Sequence, residues 1–244
     1  MFKFFSYVLS SIFYLIFGLF LILFHPIQII SYNLFGVKIL KKIVEILNFF
    51  LISFYKIILS EISFNFHKKI LFNKPIIFVC NHQSTFEIPI LIWFLRKFEA
   101  RFIGKKELGT NIPSVSYYLK NGGSVLIDRK QPEDALQKID SFCDRVKKNN
   151  WSIIIFPEGT RSKDGTPKKF RKKGLKLILN KIPNADIIPI SINNSYKFNQ
   201  WNGFPIPIFI KLIFDLHESI PNDINKINYN LGLIEKKIKK SILK

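Results

Sequence analysis

The sequence predicts an α/β fold: a mixed, largely parallel central sheet flanked by helices, preceded by an N-terminal membrane-helix segment. Three observations predict it. From Pro75 onward short apolar runs alternate with helical stretches. Polar segments such as Asn81–Glu87 and Pro157–Ser162 follow directly on those runs, where open α/β sheets bind ligands. Ahead of them, the 21 residues from Phe4 to Phe24 carry no charge.

At roughly 1.5 Å per residue that first run spans about 31 Å, one hydrocarbon core. A cleaved signal peptide would need a basic start and a small-residue site. Only Lys3 precedes the run and His25-Pro26-Ile27 follows it, so a retained helix is expected. Lys38, Lys41 and Lys42 outnumber Lys3, which places the chain beyond them on the cytoplasmic side. The next apolar stretch, Ile43 to Leu59, contains Glu45 and Lys56 and suits an interfacial helix or one packed beside the first.

In the body, Ile76 to Cys80 is a buried-type strand. Ser84 opens a helical stretch to about Phe98, with Ile88, Leu91, Ile92 and Leu95 at helical spacing. Strand Ser124–Ile127, a helix from Gln131 to about Asn149 and strand Ser152–Phe156 follow. A helix near Lys172–Asn180 and a strand at Ile187–Ile192 complete the alternation. The basic end, Lys236 to Lys244, is either a flexible tail or a headgroup contact.

Composition narrows the function classes. Lys and Arg number 37 against 17 acids, a net charge of +20 that favours anionic partners. Lysine supplies 31 of the 37, an AT-rich coding bias, so the six arginines carry more information. Two cysteines, Cys80 and Cys143, form neither a disulfide framework nor a four-ligand zinc site, and no metal-ligand cluster is visible. Cys80 ends an apolar strand and reads as core. His25, His67 and His217 sit in no motif and read as interfacial or surface residues. Eight basic residues between Lys163 and Lys181 form either a solvated face or a contact for anionic headgroups or an acidic carrier. The continuous, lipid-like Phe-rich region argues against nucleic acid as a partner.

Two segments carry chemistry. In Asn81-His82-Gln83-Ser84-Thr85-Phe86-Glu87 a histidine and a carboxylate stand five apart, about 140° apart on a continuous helix. With His82 in a loop and Glu87 in a first helical turn they can meet, freeing one ring nitrogen to take a proton. Ser84 to Glu87 also reads as a capping box, so both roles stay open for Glu87. In Phe156-Pro157-Glu158-Gly159-Thr160-Arg161-Ser162, Gly159 permits close backbone approach and Arg161 offers a planar fork for phosphate oxygens.

Together these segments resemble the PlsC-type glycerolipid acyltransferases, the lysophosphatidic acid acyltransferase family. Asn81, His82 and Glu87 match the first motif; Phe156 to Ser162 match the third completely. Gly104 to Leu108 with Gly123 to Arg129 resembles the second region, and Ile188-Pro189-Ile190 the fourth. The family usually has Asp where this chain has Glu87, and Gly109 to Pro113 is less typical.

The resemblance implies N-terminal membrane-anchoring helices over residues 1–62 and a catalytic domain over 63–244. It implies acyl transfer from acyl-CoA or acyl carrier protein, as a co-substrate thioester and with no cofactor or metal, to a lysophospholipid at an anionic membrane surface. His82 and Glu87 would be catalytic. Glu158, Gly159, Thr160, Arg161, Lys105 and Arg129 would bind substrate, and backbone N–H groups of the Phe156–Thr160 turn would serve the oxyanion. The expected location is a bacterial inner membrane, with the catalytic domain facing the cytoplasm. Rival readings are an acyltransferase for glycerol 3-phosphate or another lyso-lipid, and a non-enzymatic basic protein.

Overall fold

The computed structural model describes residues 2–68, 70 and 73–243. Helices α1 (Phe2–Phe35) and α2 (Val37–Ser53) form an antiparallel pair turning at Gly36, whose φ of 74° suits glycine. Helix α1 is apolar on its outward face as well as its inner one, where Phe13 joins the core. Ser10 and Gln28 are buried against the protein, while Phe4, Leu15, Ile22 and Leu34 point outward. The helix is long and apolar enough to cross a membrane. The charge-free run predicted to end at Phe24 continues as helix through Pro26 to Phe35. Helix α2 buries Leu40, Val44, Leu47 and Leu51 and pairs Glu45 with Lys41 at 3.4 Å, so it packs as the second member of a hairpin.

The body runs β1 (Glu61–Phe66), β2 (Ile76–Cys80), α3 (Glu87–Phe94), β3 (Ala100–Lys105), α4 (Val115–Asn121), β4 (Val125–Ile127), α5 (Pro132–Asn149), β5 (Ser152–Ile155) and α6 (Lys172–Lys181). Then come β6 (Asp186–Asn193), β7 (Lys211–Leu216), β8 (Ile220–Pro221) and α7 (Ile227–Lys240). In the sheet order β1-β7-β6-β2-β5-β3-β4 the last five are mutually parallel. β7 joins β6 antiparallel and β1 follows β7. The carboxyl ends of the parallel strands therefore share one edge with the amino ends of β1 and β7. The division expected at residue 62 falls inside β1, which already belongs to the sheet.

Alternation along β5 separates two cores. Ile154 and Phe156 face the layer of α1–α4, joined there by Phe13, Tyr55, Phe78 and Phe198. Ile153 and Ile155 face α5–α7. The C-terminal segment is not a loose tail. Ile227, Leu231, Ile234 and Ile238 recur at helical spacing and bury one face of α7, so Lys236–Lys240 sits on an ordered helix.

Candidate active site at the carboxyl edge of the sheet

Asn81 fixes where β2 stops. Its side-chain amide donates to the Ile192 carbonyl at 2.8 Å and its oxygen accepts the Ile192 N–H at 2.7 Å. This two-bond clamp to β6 lets the chain turn away at His82. The expected helix from Ser84 starts only at Glu87, because His82, Gln83 and Ser84 turn onto the Glu87 carboxylate.

That carboxylate is fully buried and both of its oxygens are used. Oε2 lies 2.8 Å from His82 Nδ1. Oε1 accepts the Gln83 and Ser84 N–H groups, each at 2.8 Å, and the Ser195 hydroxyl. The two roles open for Glu87 in the sequence are thus divided between its oxygens. The reach back to the Ser84 N–H is half of a capping box, and the other oxygen makes the dyad. An ionised carboxylate only accepts, so Nδ1 carries the hydrogen and Nε2 is left with a lone pair. The His82 side chain is 13% exposed, and its ring stacks on Phe156 with centroids 4.3 Å apart.

The turn after β5 is held against His82 from behind. Glu158 Oε1 accepts the His82 N–H at 2.9 Å, Oε2 accepts the Lys168 N–H at 2.8 Å, and the Ser162 N–H donates to the His82 carbonyl at 2.8 Å. Glu158 therefore braces the two motifs with both oxygens turned to backbone. Its burial raises its pKa above the ordinary carboxylate value, an effect opposed by those two N–H groups. Gly159 takes φ 70° beneath the Arg171 side chain, where an added Cβ would meet Arg171 at 3.0 Å. Its N–H turns back to the Phe156 carbonyl, so this member of the turn is not free for an oxyanion.

Of the expected anion ligands, Arg161 is the open one. It is exposed, and its guanidinium makes no hydrogen bond or ion pair among the described residues; only its carbonyl is used, by Lys168 Nζ. Thr160 beside it is also exposed. Half-buried Arg129 donates to the Gly159 carbonyl; burial first, then the like charge of Arg171, lowers its pKa. Lys105 is exposed and paired with Glu107 at 3.0 Å. A cavity of about 430 Å³ lies on the α5–α6 side, walled by Ile103, Ile127, Ile139 and Leu175, with Arg129 and Arg171 at its border. It is across the sheet from the His82 ring and meets that region only at Phe156–Gly159.

Three positioning residues escaped the sequence reading. Gln83 donates to the Gly165 carbonyl at 3.0 Å and accepts from Ser195 and the Tyr196 N–H; Asn199 donates to the Gln83 carbonyl at 2.8 Å. Gln83 stood inside the first motif as the polar residue next to His82, a usable cue. Ser195 and Asn199 lie more than a hundred positions away with no cue at all. Buried Cys80 has its thiol pushed well above the ordinary value by burial and by Glu87, consistent with a core residue. Among the described residues no group of three or more His, Cys, Asp or Glu is placed to hold a metal.

Comparison with known proteins agrees with this geometry. The acyltransferase family model matches residues 61–193, which hold both motifs and most of the sheet. The chain is 31% identical over 140 residues to the 1-acyl-sn-glycerol-3-phosphate acyltransferase of Cocos nucifera, covering 57% of this chain and 45% of that one. To the proteins of that name from Pseudomonas aeruginosa and Helicobacter pylori it is 34% identical over 135 residues and 33% over 131. These cover 54% of this chain in each case, and 50% and 53% of the relatives. The chain thus spans about half the length of the curated relatives it matches. The crystal structure of the 1-acyl-sn-glycerophosphate (LPA) acyltransferase PlsC from Thermotoga maritima superposes with a TM-score of 0.79 over 98% of this chain and 95% of that one. At 23% identity that likeness speaks to the fold. With its family segment enclosing the His82–Glu87 pair and the Arg161 turn, this chain belongs to the acyltransferase family.

Proposed function

We propose that the protein moves a fatty acyl chain from an acyl thioester to the free hydroxyl of lysophosphatidic acid, giving phosphatidic acid. One observation carries the reading: a histidine oriented through Nδ1 by a buried carboxylate stands at the same sheet edge as an exposed arginine. His82 Nε2 takes the hydroxyl proton as the oxygen attacks the thioester carbonyl. The new C–O bond leaves a tetrahedral oxyanion, while Glu87 stabilises the imidazolium across the Oε2 contact. Collapse breaks the C–S bond, and the imidazolium returns its proton to the leaving thiolate. Arg161 holds the acceptor phosphate through two parallel hydrogen bonds, helped by Thr160, Lys105 and the remaining N–H groups of Arg129. Gly159 keeps the turn low enough for approach, and Glu158 keeps the turn against His82.

The donor is acyl-CoA or acyl carrier protein, and the setting is a membrane surface facing the cytoplasm, in a bacterium the inner membrane. Helix α1 contacts the body from Ser10, bonded to Ile206, to His25, which accepts the Ser114 N–H. Those contacts run along roughly 22 Å of helix. Upright in a bilayer, α1 would drag the sheet into hydrocarbon. Lying in the interface it exposes its apolar face to one leaflet and keeps the body in water. Purified protein given lysophosphatidic acid, glycerol 3-phosphate or another lyso-lipid, with each donor in turn, tests the assignment by product mass. Phosphatidic acid as the main product supports it. Preference for an acceptor without a phosphomonoester refutes it.

A further inference from the structure

The segment joining β6 to β7 carries large apolar side chains outward on backbone that bulky residues rarely adopt. Trp201 (φ 51°) is 51% exposed and Phe209 (φ 60°) is 63% exposed. Phe204 between them is 45% exposed. Leu59, also exposed and also left-handed at φ 54°, follows Ile58, whose carbonyl accepts the Phe209 N–H. A left-handed turn aimed at water would ordinarily hold Gly or Asn, as the neighbouring Asn202 and Gly203 do. Here the same turn puts aromatic rings on the surface.

The segment is fastened to the amino-terminal part of α1. Ser10 Oγ accepts the Ile206 N–H at 2.8 Å, Tyr14 donates to the Gly203 carbonyl at 2.6 Å, and Phe204 meets Tyr7 edge-on at 5.5 Å. The exposed rings therefore adjoin the amino-terminal part of α1, where Phe4, Phe5 and Val8 are also exposed. The Lys3 ammonium sits 5.6 Å over the Trp201 ring, a cation beside an amphipathic aromatic, as at a headgroup boundary. Because β1 and β7 start at the edge where β2 and β5 end, Leu59 and Phe209 lie on the catalytic edge. The other end of the segment reaches the dyad: Ser195 donates to Glu87 and Asn199 to the Gln83 carbonyl.

We propose that Leu59, Trp201, Phe204 and Phe209 form a second lipid-contacting surface, continuous with α1, that seats the catalytic edge on the membrane interface. The occupant is an anionic bilayer surface: the rings enter at headgroup level and Lys3 meets lipid phosphate. This rests on the reading of α1 as an interfacial anchor, and it adds the orientation that presents the His82 edge to lipid rather than to water.

The test uses the full chain with vesicles of phosphatidylglycerol and phosphatidylethanolamine carrying brominated acyl chains. Trp93→Phe with Trp151→Phe leaves Trp201 as the sole tryptophan. Its emission should shift to the blue and be quenched by bromine placed near the headgroup end. A vesicle-bound protein with unquenched Trp201 would overturn the proposal and leave the α1 anchor standing, whereas absence of vesicle binding would overturn both. Neither result depends on turnover, so failure of the acyl-transfer reading is separately visible. In parallel, Trp201→Ser with Phe209→Ser should weaken vesicle partition about tenfold, the change that roughly 55 Å² of apolar surface left in water corresponds to. Acylation of vesicle-borne lysophosphatidic acid should fall with it, while a short-chain acceptor dissolved as monomer should react as before. Equal loss on both acceptors with a lowered Tm would show that the residues serve the fold alone, contrary to the proposal.

Discussion

Replacing Glu87 by glutamine tests the dyad most directly, because the structure dictates how the amide must sit. Four donors converge on the carboxylate: His82 Nδ1–H on Oε2, and the Gln83 N–H, Ser84 N–H and Ser195 hydroxyl on Oε1. An amide has one oxygen. If it faced His82, the NH₂ group would oppose two buried backbone N–H groups, at about 1–3 kcal/mol for each donor left unsatisfied. The oxygen therefore takes the Oε1 position and the NH₂ group faces His82. Nδ1 must then accept, the ring proton moves to Nε2, and the nitrogen meant to take the hydroxyl proton has no lone pair. A carboxylate-to-amide exchange behind a catalytic histidine costs about 10⁴-fold by this tautomer effect, or about 5 kcal/mol of barrier.

Stability should change far less, since the three Oε1 donors remain satisfied. A loss of about 1 kcal/mol would lower Tm by roughly 2–4 °C. Glu87→Asp keeps two acceptor oxygens and the right tautomer on a shorter arm, so it should turn over at least about tenfold faster than the amide variant. Steady-state acyl transfer and circular dichroism on the three proteins decide the matter. An amide variant within about tenfold of the parent enzyme, or Asp and Gln variants equally impaired, would refute the orienting role and leave Glu87 as a cap.

Arg161→Ala should raise the acceptor KM by about 10- to 100-fold, the worth of a charge-assisted bidentate contact, with Arg161→Lys between; the donor KM and Tm should stay put, because the guanidinium has no partner to lose among the described residues. A fallen Tm with an unchanged acceptor KM would assign it to the turn instead. Glu158→Gln should lower Tm through one buried N–H, of His82 or Lys168, left facing an amide donor, about 1–3 kcal/mol by urea titration. Tm equal to that of the parent would remove the brace. Half-buried His217 pairs through Nε2 with Ser191 at 2.7 Å; burial, then His67 and to a lesser degree Lys237, lowers its pKa, against the pull of Asp215. Its contribution is present above the ordinary histidine value and lost as pH falls through the depressed folded value. The urea midpoint should therefore drop on acidification below about pH 6.5, and less steeply in His217→Gln. Parallel curves for the two proteins would exclude it as the titrating group.

What the sequence disclosed follows from burial. Strands β2, β5 and β6 are covered on both faces, so they read as apolar runs, broken within β6 only by Ser191 between Ile187 and Ile192, and the motifs at their ends were placed with them. Strand β1 is an edge strand of half-exposed residues in which Ser63 and Asn65 interrupt the apolar pattern. Strand β3 hides behind Arg101, which is almost fully buried under the Trp151 ring at 4.5 Å. A charge covered by an aromatic looks, in a string of letters, like a charge in water. Strand β7 and helix α7 were passed over for a related reason: β7 is a short run interrupted by Asp215, and the amphipathic pattern of α7 is diluted by lysine and asparagine in a lysine-biased chain.

The site divides along the same physical line. His82 and Glu87 were legible because local chain geometry brings three neighbouring residues onto one carboxylate. The turn at Glu158–Arg161 was legible as a motif, yet sequence could not separate its members by task. Glu158 and Arg161 were both expected to bind substrate, but the Glu158 oxygens are both claimed by backbone N–H groups, whereas the Arg161 guanidinium is exposed. That outcome depends on Lys168 and His82 arriving from other segments, which spacing does not encode. The contribution of Ser195 is more remote still, since it reaches Glu87 only because β6 pairs with β2 in the register set by Asn81 and Ile192. The dyad's electrostatics are therefore a property of the sheet as much as of the motif. A substitution that weakened the Asn81–Ile192 clamp should reduce turnover without touching His82 or Glu87.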